Sequence, residues 1–241
     1  MRQNKYDDSS FFDKYSNMDR SVKGLEGAGE WYELKKLIPD LAGKRVLDLG
    51  CGFGWHCRYA VENGADAVIG VDLSEKMLEE ARRKTQSDKI SYLCMPIEEI
   101  AFPEDSFDVV ISSLVLHYLP SFEEVLSKIS KCLCDGGDFV FSVEHPVFTA
   151  QGPQDWYYDA EGNPMHWPVD NYFIEGAREA VFLGEKMTKY HRTLTTYLQG
   201  LLHGGYDITG VVEPRPAATV TEMSDELRRP MMLLISAHKR K

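Results

Sequence analysis

Three glycines at alternate positions, Gly50, Gly52 and Gly54, follow the apolar run Val46-Leu47-Asp48-Leu49, and Asp72 closes a second such run, Ala67-Val68-Ile69-Gly70-Val71. The chemistry this pattern allows is the holding of a nucleoside. Glycines at the carboxyl end of a strand let backbone approach a ligand where a side chain would block it. A carboxylate 22 positions beyond Gly50, at the end of the next strand, can accept hydrogen bonds from two ribose hydroxyls. The spacing also narrows the nucleotide. A dinucleotide fold wants G-x-G-x-x-G, its last glycine opening the helix that meets the pyrophosphate; here Trp55 takes that place. No Lys-Ser or Lys-Thr pair directly follows the glycines, as a P-loop would need. Asp48 stands directly behind the loop and joins the candidate binding residues.

These residues need a strand-loop-helix-strand frame, and the flanking pattern supplies one. Strands are expected over 45–49, 67–72, 90–94, 107–112 and 137–143. Between them, one helix follows the glycine loop and ends at Asn63-Gly64; a second is capped by Ser74 and carries Met77, Leu78 and Ala81 on its apolar stripe; a third spans 122–133. Strands alternating with helices at this interval imply a parallel sheet covered on both faces, with ligands beyond its carboxyl ends. Asp135-Gly136-Gly137 reads as a turn between helix and strand. Upstream, a loop over 23–29 precedes a helix over 30–38, which Pro39 stops. Downstream of 145 the composition changes. Phe148, Trp156, Tyr157, Tyr158, His166, Trp167, Tyr172, Phe173 and Phe182 fall among Gly, Pro, Asp and Asn. We read 146–185 as an aromatic-rich insertion without periodicity, either a lid over a binding site, with Trp156, Trp167 and Tyr172 as walls, or a small core of its own. A helix over 194–203, a strand over 206–213, a loop and a strand over 231–237 complete the chain.

With 241 residues the chain can bury a substantial core, and it fits one α/β domain over 1–241 better than two equal ones. The formal charge of -11 is spread without a basic stripe, which argues against a nucleic-acid backbone, DNA above all, as the main partner. Five cysteines, at 51, 57, 94, 132 and 134, lack the spacing of a zinc site and read as reduced thiols in a cytoplasm. Residues 1–8 are polar and no run of 18 apolar residues occurs, so a soluble, unexported protein without a membrane partner is expected.

With strand one ending in Asp48-Leu49-Gly50-Cys51-Gly52-Phe53-Gly54, strand two in Gly70-Val71-Asp72-Leu73-Ser74, and the next helix opening Glu75-Lys76-Met77-Leu78, the chain resembles the class I S-adenosylmethionine-dependent methyltransferases, and within them the bacterial small-molecule branch. The likeness covers 45–145 and includes Phe102-Pro103-Glu104-Asp105-Ser106-Phe107-Asp108, Ser112-Ser113-Leu114-Val115-Leu116-His117-Tyr118 and the Gly136-Gly137 turn. It implies a Rossmann-like seven-stranded sheet in the order 3-2-1-4-5-7-6, with strand 7 antiparallel, and S-adenosylmethionine as cofactor. Gly50, Cys51 and Gly52 would then lie along the methionine part, Asp72 would hold the ribose, and Leu73 with Met77 would pack on the adenine. Where the family often carries an acid after strand three, this chain has Pro96-Ile97, which leaves the adenine contact to backbone, to Ile97 or to Glu98. Ser112 would turn its carbonyl toward the cofactor's amino group. Similar enzymes use an N-terminal cover, here residues 1–40, making Tyr15 and Arg20 candidates for meeting the cofactor carboxylate.

Because the cofactor's methyl is already activated, alignment of an incoming lone pair dominates such a reaction, at roughly 7 to 11 kcal/mol, against about 100- to 10,000-fold from a general base. Three histidines compete for the base: His145, which we rank first, His117 and His191. Glu144 beside His145 reads as a solvated loop acid. No metal cluster is expected. Ser112-Ser113-Leu114-Val115 lacks the Asn/Asp-Pro-Pro-aromatic run of nucleic-acid amino methyltransferases, which with the acidic balance disfavours DNA bases; a small-molecule acceptor is expected, with tRNA left open. Rival readings are a nucleotide-dependent oxidoreductase, which Trp55 opposes, and a non-catalytic cofactor-binding protein. The sequence leaves the oligomeric state open.

Overall fold

Side-chain alternation along the central strand decides how the layers assemble. Leu47 and Leu49 point into one buried cluster with Val110, Phe139 and Phe141, whereas Val46 points into another with Val68, Val109 and Ile111. A strand apolar on both faces must be covered on both, and the two sets of helices do so.

The computed structural model describes residues 4–216 and 221–241; residues 1–3 of the expected cover and 217–220 of the expected loop lie outside the described residues. The chain opens with α1 (Ser9–Ser16), α2 (Asp19–Val22) and α3 (Trp31–Leu37). It continues through β1 (Arg45–Leu49), α4 (Trp55–Glu62), β2 (Ala67–Asp72), α5 (Glu75–Lys84), β3 (Ile90–Cys94), β4 (Phe107–Ser113), α6 (Phe122–Cys132) and β5 (Leu133–Glu144). After α7 (Pro146–Thr149) come two hairpins, β6 (Tyr157–Tyr158) with β7 (Pro164–His166) and β8 (Gly176–Phe182) with β9 (Glu185–His191). The last elements are α8 (Leu194–His203), β10 (Tyr206–Val212), a 3-10 segment over Thr221–Arg228 and β11 (Met232–Lys239).

The seven-stranded sheet runs β3-β2-β1-β4-β5-β11-β10. Its first five strands are parallel, and β11 lies antiparallel to both of its neighbours. This is the order 3-2-1-4-5-7-6 when only sheet strands are counted. Helix starts follow side-chain caps: Ser74 accepts from Met77 N–H, Ser121 from Glu124 N–H and Thr193 from Thr196 N–H, each cap contributing about 1 kcal/mol.

Two local expectations change. The Asp135-Gly136-Gly137 turn lies inside β5, which begins at Leu133 by pairing with Phe107 and bulges before resuming at Val109 and Asp138. The chain bends there because Gly136 sits at φ +78° and a Cβ on Gly137 would lie 2.6 Å from Leu133 Cδ1. The insertion is likewise not aperiodic. Leu183 and Gly184, both at positive φ, make the two-residue turn that matches strand twist; β8, inside the insertion, pairs with β9, which runs just beyond its expected end and buries Met187, Lys189 and His191 on one face. A lysine and a histidine on the inward face disguise the alternation in the sequence.

Candidate active site

The glycine loop is bent by its own hydrogen bonds. Gly50 N–H and Cys51 N–H both donate to Val71 O, at 2.7 and 3.0 Å, and Gly54 N–H closes a turn on Cys51 O at 2.8 Å. Gly50, Gly52 and Gly54 all lie at positive φ. A Cβ on Gly50 would fall 2.2 Å from Val115 Cγ2, and one on Gly54 would fall 2.1 Å from the Tyr92 hydroxyl. Opposite the loop, Leu114 holds a left-handed φ of 55° at the end of β4, fixed by its N–H donating to Ser142 O at 2.9 Å. Such conformations cost roughly 1–3 kcal/mol and gather at functional sites.

Asp72 completes this surface. Its Oδ2 accepts from Gly52 N–H at 2.8 Å and its Oδ1 from Ser74 N–H at 2.9 Å, leaving each oxygen a further lone pair. Burial raises its pKa, opposed by these two N–H donors. Met77 Cε lies 3.6 Å from where a Gly52 Cβ would be, and Leu73 beside it is half-buried. Ser112 is buried, its hydroxyl donating to Leu49 O at 3.0 Å. Pro96 precedes a short 3-10 segment, Ile97–Glu99, in which Ile97 faces the core and Glu98 is half-buried.

Asp48 is placed differently from the other loop residues. It shares the face of Val46, under α4, and is 1 % exposed; Cys57 Sγ donates to its Oδ2 at 3.2 Å while its Oδ1 has no partner. Burial lifts its pKa to about 7. A carboxyl raised above its unfolded value stabilises the fold fully only below about pH 4, and that contribution is lost as pH rises through 7. Asp48→Asn removes this titration. Denaturation of wild type and variant at pH 4.5 and 8 is therefore expected to show the variant gaining about 2 to 4 kcal/mol relative to wild type at the higher pH.

The N-terminal segment lies over the loop. Asp7 accepts from the Ser74 hydroxyl at 2.6 Å, and Asn4 Nδ2 donates to Leu73 O at 3.3 Å. The rings of Phe12 and Tyr15 stand edge-on to Phe53, 5.8 and 6.0 Å away. Arg20 pairs with the buried Glu30 at 2.5 Å, and Glu30 Oε2 is left without a partner. Tyr6, which no sequence signal marked, stands edge-on to Phe11 at 5.1 Å and to Tyr15 at 5.2 Å, and burial raises its pKa well above the ordinary phenol range.

The three histidines occupy three different settings. His117 is buried, its Nδ1 accepts from Glu144 N–H at 3.3 Å, and burial lowers its pKa to about 4. His191 has both ring nitrogens engaged, by Thr149 Oγ1 and Tyr172 O, each at 2.8 Å. His145 caps α7 by accepting from Val147 N–H at 3.0 Å and turns its other nitrogen to Glu213, 2.9 Å away. His145→Ala is accordingly expected to cost about 1 kcal/mol of stability through the lost cap and to leave cofactor affinity unchanged, as paired melting and titration experiments would read. Glu144 is no solvated acid. Its side chain pairs with Lys189 Nζ at 2.5 Å and accepts from Gln154 Nε2 at 2.6 Å. The tryptophans of the insertion pack on one another instead: Trp167 stacks on Phe148 at 4.9 Å, Trp156 meets it edge-on, and Arg229 lies over all three rings. Phe182, on β8, is the insertion's ring that reaches α1, 6.0 Å from Phe11.

Among the described residues, no group of three or more His, Cys, Asp or Glu side chains is placed to hold a metal ion, and no helix is long and apolar enough to cross a membrane. The loop and Asp72 suit S-adenosylmethionine: a backbone cradle that a Cβ would fill, beside a carboxylate with free lone pairs. Residues 47–141 match the family model described as a methyltransferase domain. A chain from Listeria monocytogenes, solved as a candidate S-adenosylmethionine dependent methyltransferase, is 59% identical, with a TM-score of 0.85 over 89% of this chain and 99% of its own. An S-adenosylmethionine dependent methyltransferase from Mesorhizobium loti is 44% identical, with a TM-score of 0.83 over 90% of this chain and 100% of its own. The chain belongs to the S-adenosylmethionine-dependent methyltransferases. Over its full length it also resembles an uncharacterized protein of Haemophilus influenzae, 36% identical across 97% of this chain and 96% of the relative. Curated relatives matched over about half of this chain, and of which it spans about half, include transferases named for tRNA U34 carboxymethylation and for ubiquinone biosynthesis.

Proposed function

We propose that this methyltransferase acts on a small molecule held between the carboxyl ends of β4 and β5 and a two-part roof, made by the N-terminal segment and the β8–β9 hairpin. The observation that carries this reading is that the two halves meet. Besides the Phe11–Phe182 contact, Lys14 Nζ donates to Leu183 O at 3.1 Å and Lys5 pairs with Glu185 at 3.4 Å. A roof of this kind encloses a compact acceptor and excludes water, whereas a polynucleotide needs an open basic surface.

In this reading Asp72 holds the ribose hydroxyls, the backbone of Gly50–Gly52 lies along the methionine part, and Leu73 with Met77 covers the adenine, which Pro96, Ile97 and Glu98 border. Arg20 and Tyr15 meet the carboxylate from the cover, and Ser112 offers its carbonyl to the amino group. The cofactor supplies a methyl group already activated on a sulfonium. The protein aligns the acceptor, excludes water and surrounds the cation with the rings of Tyr6, Tyr15 and Tyr118, each such contact contributing about 0.5 to 2 kcal/mol.

Incubation with methyl-labelled S-adenosylmethionine and a cell extract, fractionated into metabolites, tRNA and protein, tests the proposal. Label is expected in the metabolite fraction. Label confined to tRNA or protein would overturn the small-molecule acceptor, and cofactor binding without transfer to any fraction would favour a non-catalytic role.

A further inference from the structure

Resting on the small-molecule reading, we propose that the Lys189 ammonium anchors the acceptor, and that the acceptor is a carboxylic acid methylated on its carboxylate oxygen.

Lys189 comes from β9, in the roof, yet it is 3 % exposed. Its Nζ donates to Glu144 Oε1 at 2.5 Å and to Gln154 Oε1 at 2.8 Å. An ammonium has three N–H donors, so one remains. The same nitrogen sits 6.0 Å from the Tyr118 ring and 5.6 Å from the Phe182 ring. Phe182 meets Phe11 at 6.0 Å, Phe11 meets Tyr6 at 5.1 Å, Tyr6 meets Tyr15 at 5.2 Å, and Tyr15 meets Phe53 of the glycine loop at 6.0 Å. A run of ring contacts thus links the lysine to the glycine loop that would hold the cofactor. Lys189 therefore stands on the acceptor's side of the cofactor loop, its third donor among aromatic faces.

The histidines decide the nucleophile. His191 is held at both nitrogens, His145 caps a helix and faces Glu213, and His117 has its Nδ1 taken by a backbone N–H. Glu144 is committed to Lys189 and Gln154 and stays ionised: burial would raise its carboxyl, but His117 and Lys189 bring it below the usual range. Among the described residues, none of these three histidines keeps a lone pair for a proton, and Glu144, paired with an ammonium at 2.5 Å, is a weak base. An amine, thiol or phenol is mostly protonated at neutral pH and needs such a group, whereas a carboxylic acid, with a pKa near 4, arrives already ionised. The balance then closes without a base. One carboxylate oxygen lone pair forms the new O–CH3 bond as the methyl's bond to sulfur breaks, the electron pair stays on sulfur, and the products are a neutral ester and a neutral thioether. The other oxygen takes the third Lys189 N–H, a charge-assisted bond.

Two readouts test this. Labelled product from the metabolite fraction is treated with mild alkali. A methyl ester releases its label as volatile methanol, the expected result; label that stays with the metabolite marks an ether or N-methyl product and overturns the proposal while leaving the small-molecule reading intact. The second readout needs no turnover. Benzoate and its neutral isostere benzamide are titrated into protein saturated with S-adenosylhomocysteine, using wild type, Lys189→Met and Lys189→Arg. Benzoate is expected to bind wild type at least 10-fold more tightly than benzamide does; Lys189→Met should erase that preference and Lys189→Arg should keep most of it. Equal binding of the two probes by wild type, or a preference that survives in Lys189→Met, would overturn the proposal. Label found only in tRNA or protein would instead sink the reading beneath it.

Discussion

Gly50→Ala is expected to abolish measurable binding of S-adenosylhomocysteine. The added methyl would lie 2.2 Å from Val115 Cγ2 and 2.8 Å from its Cγ1, far inside van der Waals contact, at a backbone φ of +74° that an L residue adopts at a cost of roughly 1–3 kcal/mol. Overpacking adds about 1–3 kcal/mol. The loop can relieve both only by moving away from Val115, which carries the Gly50 and Cys51 N–H groups off Val71 O. Calorimetric titration should show no heat of binding, and the melting temperature should fall. The double variant Gly50→Ala/Val115→Ala separates the two causes. It should regain part of the melting temperature, because the clash is gone, while cofactor binding stays weak, because the backbone strain persists.

Asp72→Ala should produce the second large loss, weakening S-adenosylhomocysteine binding by roughly 100-fold or more. Two hydrogen bonds to a charged group contribute about 1.5–3 kcal/mol each, and the same substitution leaves Gly52 N–H and Ser74 N–H without the acceptor that now shapes the loop. Asp72→Asn keeps the size of the side chain but presents one acceptor oxygen and an NH2 group in place of two acceptors, so its affinity should fall between wild type and alanine. Equal affinities in all three proteins would remove Asp72 from the site.

The sheet was legible because its signals are local. Apolar runs on 45–49 and 67–72, the Ser74 cap, and the glycines between them each have one physical reading, and these readings agree with one another. The course of the glycine loop was legible for the same reason, since Gly50, Gly52 and Gly54 all take positive φ. What would surround the proposed acceptor was not. Tyr6, Tyr118, Phe182 and Lys189 come from four separate segments and meet only through the tertiary fold, with no spacing that announces them. Glu144 misled because acids at strand ends are usually solvated; it is the lysine 45 positions later that draws it inward. The histidines misled in the opposite sense, since an imidazole suits proton transfer by type, while a cap or a pair of hydrogen bonds decides what it does. Trp156 and Trp167 looked like pocket walls by composition, and Arg229 and Phe148 claim their faces instead.

The central claim is that the loop at Gly50–Gly54 and the carboxylate of Asp72 form the cofactor's cradle. A crystal structure of the protein with S-adenosylhomocysteine tests it most directly: the nucleoside should lie across the three glycines with both ribose hydroxyls on Asp72, and a nucleoside bound elsewhere, or its ribose turned from Asp72, would contradict the account.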